Sequence, residues 1–149
     1  MTSNKTDSLS AFAASFYQQR QRLFLQLQDE HALDVLLLLA ACWLGQRGTP
    51  VTSVEWAGLL QRHQPWQQQV VSPLRAVRRA LREWPQAEAL REQVKASELA
   101  AEWAQLARLE QWLAPVVSGE GETMALQLQA CCRAQGVSPP SDLLRQFIR

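Results

Sequence analysis

The run Val35–Leu44 constrains this chain more than any other feature, because ten consecutive residues (VLLLLAACWL) carry no charge. A bilayer crossing needs about 20 apolar residues. The run therefore reads as a helix enclosed by protein, over about Ala32–Gln46, with Gly48 as its left-handed stop. A helix that is apolar almost all round belongs at the centre of a bundle.

The flanking sequence supplies helices to surround it. Asp7 or Ser8 caps a first helix whose apolar positions, Leu9, Phe12, Ala13, Phe16 and Tyr17, keep helical spacing. Arg20–Glu30, with Leu23, Phe24 and Leu27, is a second helix or a bent continuation of the first. Thr52 with Glu55 three residues later matches a capping box and starts a helix through Arg62. Pro65 is expected to open the next helix at its first turn, and Pro73 to kink or break it near Val70–Ser72. Pro85 precedes the longest helix, about Gln86–Leu113. Gly119 and Gly121 mark a loop, Met124–Ala134 reads as a further helix, and a short one follows from Asp142 to Ile148. No segment alternates with a strand period. The expectation is an all-α fold, a single-domain bundle of six or seven helices around the apolar one, with residues 1–7 disordered and residues 8–149 forming the domain.

Composition narrows the class. Apolar residues at 47% and charged residues at 19% suit a globular chain of 149 residues, and a net charge of +1 gives no global attraction to polyanions. The six Trp are expected to supply large core contacts. Abundant Gln suits helix surfaces. Cys42, Cys131 and Cys132 have no metal or redox spacing and point to a reducing compartment. Residues 1–10 lack the apolar stretch of a secretory signal, so the expected location is cytoplasmic.

Chemistry concentrates in one place. Arg75, Arg78, Arg79 and Arg82 fall at i, i+3, i+4 and i+7, with no carboxylate between Glu55 and Glu83. That spacing stacks four guanidinium groups on one helix face, beside an apolar face of Leu74, Val77, Leu81 and Trp84. Four permanent cations must find anions or stay in water. Glu98 and Glu102, one turn apart with Lys95 a turn earlier, are the obvious partners, along with Asp29, Glu30 and Asp34. Either these residues form a cleft for an anionic ligand, or they form a purely structural ion-pair network in which Arg79→Ala costs stability alone. His31 is a helix-end cap or an acid–base group, and Cys131–Cys132 a buried or redox pair. No phosphate loop, nucleophile motif or Glu-x-x-His pair is present. Asp29 and Asp34 only loosely match an Asp-rich Mg²⁺ site.

Three segments carry a family resemblance. They are Leu25-x-Leu27-Gln28-Asp29 leading to Asp34-Val35-x-Leu37-Leu38-Leu39 and Trp43-Leu44; Trp66-x-x-x-Val70-Val71-x-Pro73-Leu74-Arg75-x-x-Arg78; and Val94-Lys95-x-x-Glu98-Leu99-x-Ala101-Glu102. Together they resemble an uncharacterised helical family of Proteobacteria, domain of unknown function 2390, over about Phe12–Leu109, with residues 122–149 as a variable helical tail. The chain departs from the family pattern at Gln18-Gln19-Arg20-Gln21, which replaces a Pro-Gly turn. The resemblance implies no activity, only that Gln28, Asp29, Asp34, Arg75, Arg78, Lys95, Glu98 and Glu102 act as one polar set.

The expected function is a non-enzymatic interaction or regulatory module. Its binding residues would be Gln28, Asp29, Asp34, Arg75, Arg78, Arg79, Arg82, Lys95, Glu98 and Glu102, and its partner another protein or a small anion. The alternatives are a small-molecule, diphosphate-type enzyme using the same cluster, or a weak nucleic-acid binder with Trp66 and Trp84 stacking bases. No cofactor, metal or membrane contact is expected, and the oligomeric state is open.

Overall fold

A computed structural model describes residues 8–113 and 124–148. The path is α1 (Leu9–Gln19), α2 (Gln21–His31), α3 (Val35–Arg47), α4 (Ser53–Trp66), α5 (Ser72–Ala80), α6 (Glu88–Leu113), α7 (Met124–Ala134) and the single turn α8 (Ser141–Leu144). Short 3₁₀ turns follow α5, precede α6 and follow α8. The fold is all-α, and no strand occurs among the described residues. The readings of residues 1–7 and of the Gly119–Gly121 loop lie outside the described residues.

The apolar helix is central. Every residue of α3 from Leu36 to Leu44 is buried, wrapped by Phe12 and Phe16 of α1, Phe24 and Leu27 of α2, Trp56 and Leu59 of α4, Leu106 and Leu109 of α6, and Leu128 of α7. Phe12, Phe16, Tyr17, Phe24 and Phe147 stack or meet edge-on at one end. Helix α7 lies directly along α3, from Asp34, whose N–H donates to Gln135 Oε1 at 2.9 Å, to Gly45, where a Cβ would run into the Met124 Cα. Only a glycine permits that approach.

Local chemistry sets the element ends. The Ser8 hydroxyl accepts from the Ala11 N–H at 3.1 Å, and Thr52 and Glu55 form the reciprocal capping box. Gly48 closes α3 at φ 70°. That helix starts later than its apolar pattern suggests. Ala32 adopts φ 56° and ends α2, so Asp34 becomes the N-cap of α3, its Oδ1 accepting from the Leu37 N–H at 3.2 Å. Arg20 alone joins α1 to α2, donating its N–H to the Tyr17 carbonyl at 3.0 Å.

One expectation fails here, and another is met in a particular form. Pro65 does not open the arginine helix but lies inside α4. Both Pro65 and Gln61 are exposed, so the carbonyl that loses its partner faces solvent. The break expected at Pro73 is a π-helical turn, Gln67–Val71, in which the Ser72 N–H reaches back to the Gln67 carbonyl. The wider turn carries the chain past a proline that has no N–H to donate. The tryptophans also divide. Trp43 and Trp56 are core residues, whereas Trp84 is 56% exposed, Trp103 is exposed, and Trp66 and Trp112 are half-buried beneath Arg108.

Two glutamines serve the interior instead of the surface. Gln127 accepts from the Trp56 indole at 2.8 Å and donates to the Thr49 carbonyl at 2.7 Å. Gln105 donates from its amide to His63 Nδ1 at 2.8 Å.

Candidate functional site

Helix α5 turns arginines toward the protein: Arg75 and Arg78 meet α6 and are half-buried, as is Leu74, while Val77 is 47% exposed. No residue of α5 is fully buried. Ion pairs hold it against α6. Arg75 Nε donates to Glu98 Oε2 at 3.0 Å and its Nη2 stands 3.6 Å from Glu102 Oε2. Arg78 grips Glu98 through Nε, and through Nη2 at 3.3 Å. As the arginine number rises the glutamate number falls, so the helices run antiparallel.

The row therefore splits in two. Arg75 and Arg78 are neutralised by Glu98 and Glu102, but Arg79, Arg82 and Lys95 have no carboxylate within ion-pair distance among the described residues. All three are exposed at the rim of a cleft.

That cleft, about 770 Å³, is bounded by α1, α2, α3, α5 and α6. Its walls include Gln28, Asp29, Arg75, Arg78, Arg79, Arg82, Lys95, Glu98 and Glu102. A smaller compartment of about 400 Å³ adjoins it and shares Gln28, Asp29, Arg75, Arg79 and Glu102. Asp34, the last of the ten residues singled out from the sequence, lines this second compartment. The polar set read along the chain thus meets at one surface in space. The lining also includes the apolar Leu25, Leu36, Leu39, Leu99, Trp103 and Leu106. Five cations face three carboxylates in the larger compartment.

The carboxylates differ in state. Burial pushes the Glu98 carboxyl up, but hydrogen bonds and charge from Arg78 and Arg75 outweigh it and hold the group below its ordinary value. Glu102 is pushed up to about 7 by burial, with Glu98 and Asp34 adding to the rise and Arg75 opposing it. Tyr17, on the cleft wall, is raised by burial and then by the Glu102 charge.

Asp34 is fully engaged. Besides capping α3, it accepts from His63 Nε2 through Oδ2 at 2.8 Å. Since Gln105 donates to Nδ1, Nε2 carries the hydrogen toward Asp34. His63 is buried and acts on the smaller compartment only by fixing Asp34. Its burial is legible in the spacing Trp56, Leu59, His63 on one face of α4, which the sequence reading passed over. Gln67 was also missed. The π turn sets it on the wall of the smaller compartment, where its Oε1 is buried without a hydrogen-bond partner among the described residues. Ala32, the one non-glycine residue with positive φ among the described residues, lines the same compartment. Strained backbone of this kind collects at functional sites.

Other candidates lie elsewhere. His31 ends α2 at intermediate exposure. Cys42, Cys131 and Cys132 are buried free thiols whose ionisation burial opposes, Cys132 being raised to about 11. Among the described residues no three His, Cys, Asp or Glu side chains gather to hold a metal ion, and no helix is long and apolar enough to cross a membrane.

Residues 8–109 match the family described as protein of unknown function (DUF2390). The chain belongs to that family. The match runs from the cap of α1 through most of α6 and so includes every wall of the cleft, while α7 and α8 lie beyond it. No curated protein and no solved structure matches the chain.

Proposed function

We propose that this DUF2390 chain is a binding protein for a small anionic ligand held in the cleft between α5, α6 and the α1–α3 layer. One observation carries the reading: Arg79, Arg82 and Lys95 line a concave site without carboxylate partners among the described residues, beside two arginines that are already paired. A structural network would have used its cations. A cleft of about 770 Å³ lies within the range of small-ligand sites, which favours a small anion over a protein partner. Of the two tryptophans a nucleic-acid reading would use, only Trp84 is exposed; Trp66 donates its indole N–H to the Ala101 carbonyl at 3.0 Å and lies under Arg108, which counts against that reading.

Calorimetry and thermal shift with phosphate, pyrophosphate and citrate test the proposal. Stoichiometric binding that is lost in Arg79→Glu/Arg82→Glu, with helicity unchanged, supports it. Equal binding by wild type and variant, or none by either, rejects it.

A second reading is favoured by Glu102. A carboxyl group titrating near 7 inside a cleft is placed to give or take a proton from a bound substrate, which makes the same surface the active site of a small-molecule enzyme. Turnover of a bound ligand that disappears in Glu102→Gln while binding persists distinguishes this reading.

A further inference from the structure

One stripe of the cleft wall passes from a charged end to apolar side chains, beside the Arg75–Glu98–Glu102 ion pairs. On α6, Lys95, Leu99, Trp103 and Leu106 share one wall at i, i+4, i+8 and i+11, a stripe about 16 Å long at 1.5 Å per residue. The cation stands at one end and three apolar side chains follow. The antiparallel register that sets Arg78 against Glu98 brings Arg82, one turn on, level with Lys95, one turn back. Both cations thus sit at the α5–α6 turn end, with Arg79 next along α5. Toward the other end, Leu99 is 54% exposed, Trp103 37% and Leu25, across the cleft on α2, 39%. Three of the large apolar side chains that this protein leaves in contact with solvent therefore converge on a single cleft, a grouping that marks a binding surface.

A compact polar anion would use only the charged end. A single carboxylate would leave two of the three cations unmatched, whereas a phosphomonoester carries a charge near −2 and three acceptor oxygens suited to guanidinium forks.

We propose that the ligand is a single-chain aliphatic phosphate, its head group held by Arg79, Arg82 and Lys95 and its chain laid along Leu99, Trp103 and Leu25. This rests on the anion-binding reading above and deepens it. The proposed ligand is a free molecule, not a lipid in a bilayer, lying between α2 and α6.

Titration calorimetry with inorganic phosphate and with butyl, hexyl and octyl phosphate below their micelle concentrations provides the test, with octanol as the uncharged control. Affinity should rise by about fourfold per buried methylene, octanol should bind at least tenfold more weakly than octyl phosphate, and Leu99→Asp should flatten the chain-length series. Leu99 is exposed, so that variant keeps the fold, which circular dichroism verifies. Inorganic phosphate and octyl phosphate binding equally, with Leu99→Asp silent, overturns the amphiphile while leaving the anion site standing. Absence of binding by every phosphate overturns both. Sedimentation with phosphatidic acid vesicles, without binding of monomeric octyl phosphate, also overturns the proposal.

Discussion

Arg78 approaches the Glu98 carboxylate side-on, with Nε on one oxygen and Nη2 3.3 Å from the other, and this pairing stands where a helix hairpin ordinarily has leucines. Glu98 is buried and serves Arg75 as well. Removing it strands the half-buried Arg78 at the α5–α6 seam and leaves Arg75 with Glu102 alone. Breaking such a pair from one side costs about 3–5 kcal/mol. Glu98→Ala should therefore lower stability to urea by an amount in that range, and amide exchange should show α5 losing protection before α3. Arg78→Met/Glu98→Leu, which fills the seam with apolar atoms, should recover most of the loss.

Gly45 gives the second prediction. A methyl group there meets the Met124 backbone, which cannot swing aside as a side-chain tip would. Gly45→Ala should push α7 off α3 at a cost of about 1–3 kcal/mol. Cys131 and Cys132, which α7 buries, should then react faster with a thiol reagent under native conditions; unchanged thiol rates would show that α7 is seated some other way.

The architecture was legible because it rests on patterns that physics enforces locally. Ten uncharged residues force α3 inward, and Ser8, Thr52 and Gly48 announce helix ends through backbone groups only a few residues away. Met124–Ala134 is helical over the span its periodicity predicts. The failures involve proline and tertiary choice. Whether Pro65 starts a helix or sits on the solvent side of one depends on which neighbours are exposed, and that is set by the fold. The candidate residues were legible as a group since charge at helical spacing must converge on charge. Their division into paired Arg75 and Arg78 and unpaired Arg79 and Arg82 was not, because the four share one face and only the height of α6 decides which meet Glu98. Nor does sequence reveal that α5 presents its arginines inward and Val77 outward.

Glu102 predicts a pH dependence of definite sign. Its folded value of about 7 lies above the roughly 4.3 of an unperturbed glutamate, so between those limits the folded state binds more protons than the unfolded one. Stability must then fall as pH rises through that window, and the loss is complete above it. Glu102→Gln should abolish this slope, leaving the variant more stable than wild type by about 1–3 kcal/mol at pH 8 and nearly equal to it at pH 4. Glu98 acts in the opposite sense at lower pH: its depressed value gives stability that disappears only as the solution is acidified below the ordinary carboxylate range. Denaturation midpoints from pH 3 to pH 8 separate the two, and a flat profile between 5 and 8 in wild type would contradict the placement of Glu102.

Arg79 and Arg82 distinguish architecture from binding most cleanly. If the guanidinium row existed only to lock helices together, Arg79→Ala would destabilise the fold; yet Arg79 is exposed and unpaired among the described residues. Exposed substitutions of this kind fall within about 0.5 kcal/mol, so Arg79→Ala and Arg82→Ala should each melt like wild type. Bound ligand stabilises only the folded state, by about 2.7 kcal/mol at a hundredfold excess over Kd. Octyl phosphate at that excess should raise the melting temperature of wild type by roughly 5–10 °C and that of Arg79→Ala/Arg82→Ala by far less. Two variants that unfold early without ligand would return the row to a purely structural role, and equal ligand shifts in wild type and the double variant would move the binding site elsewhere on the molecule.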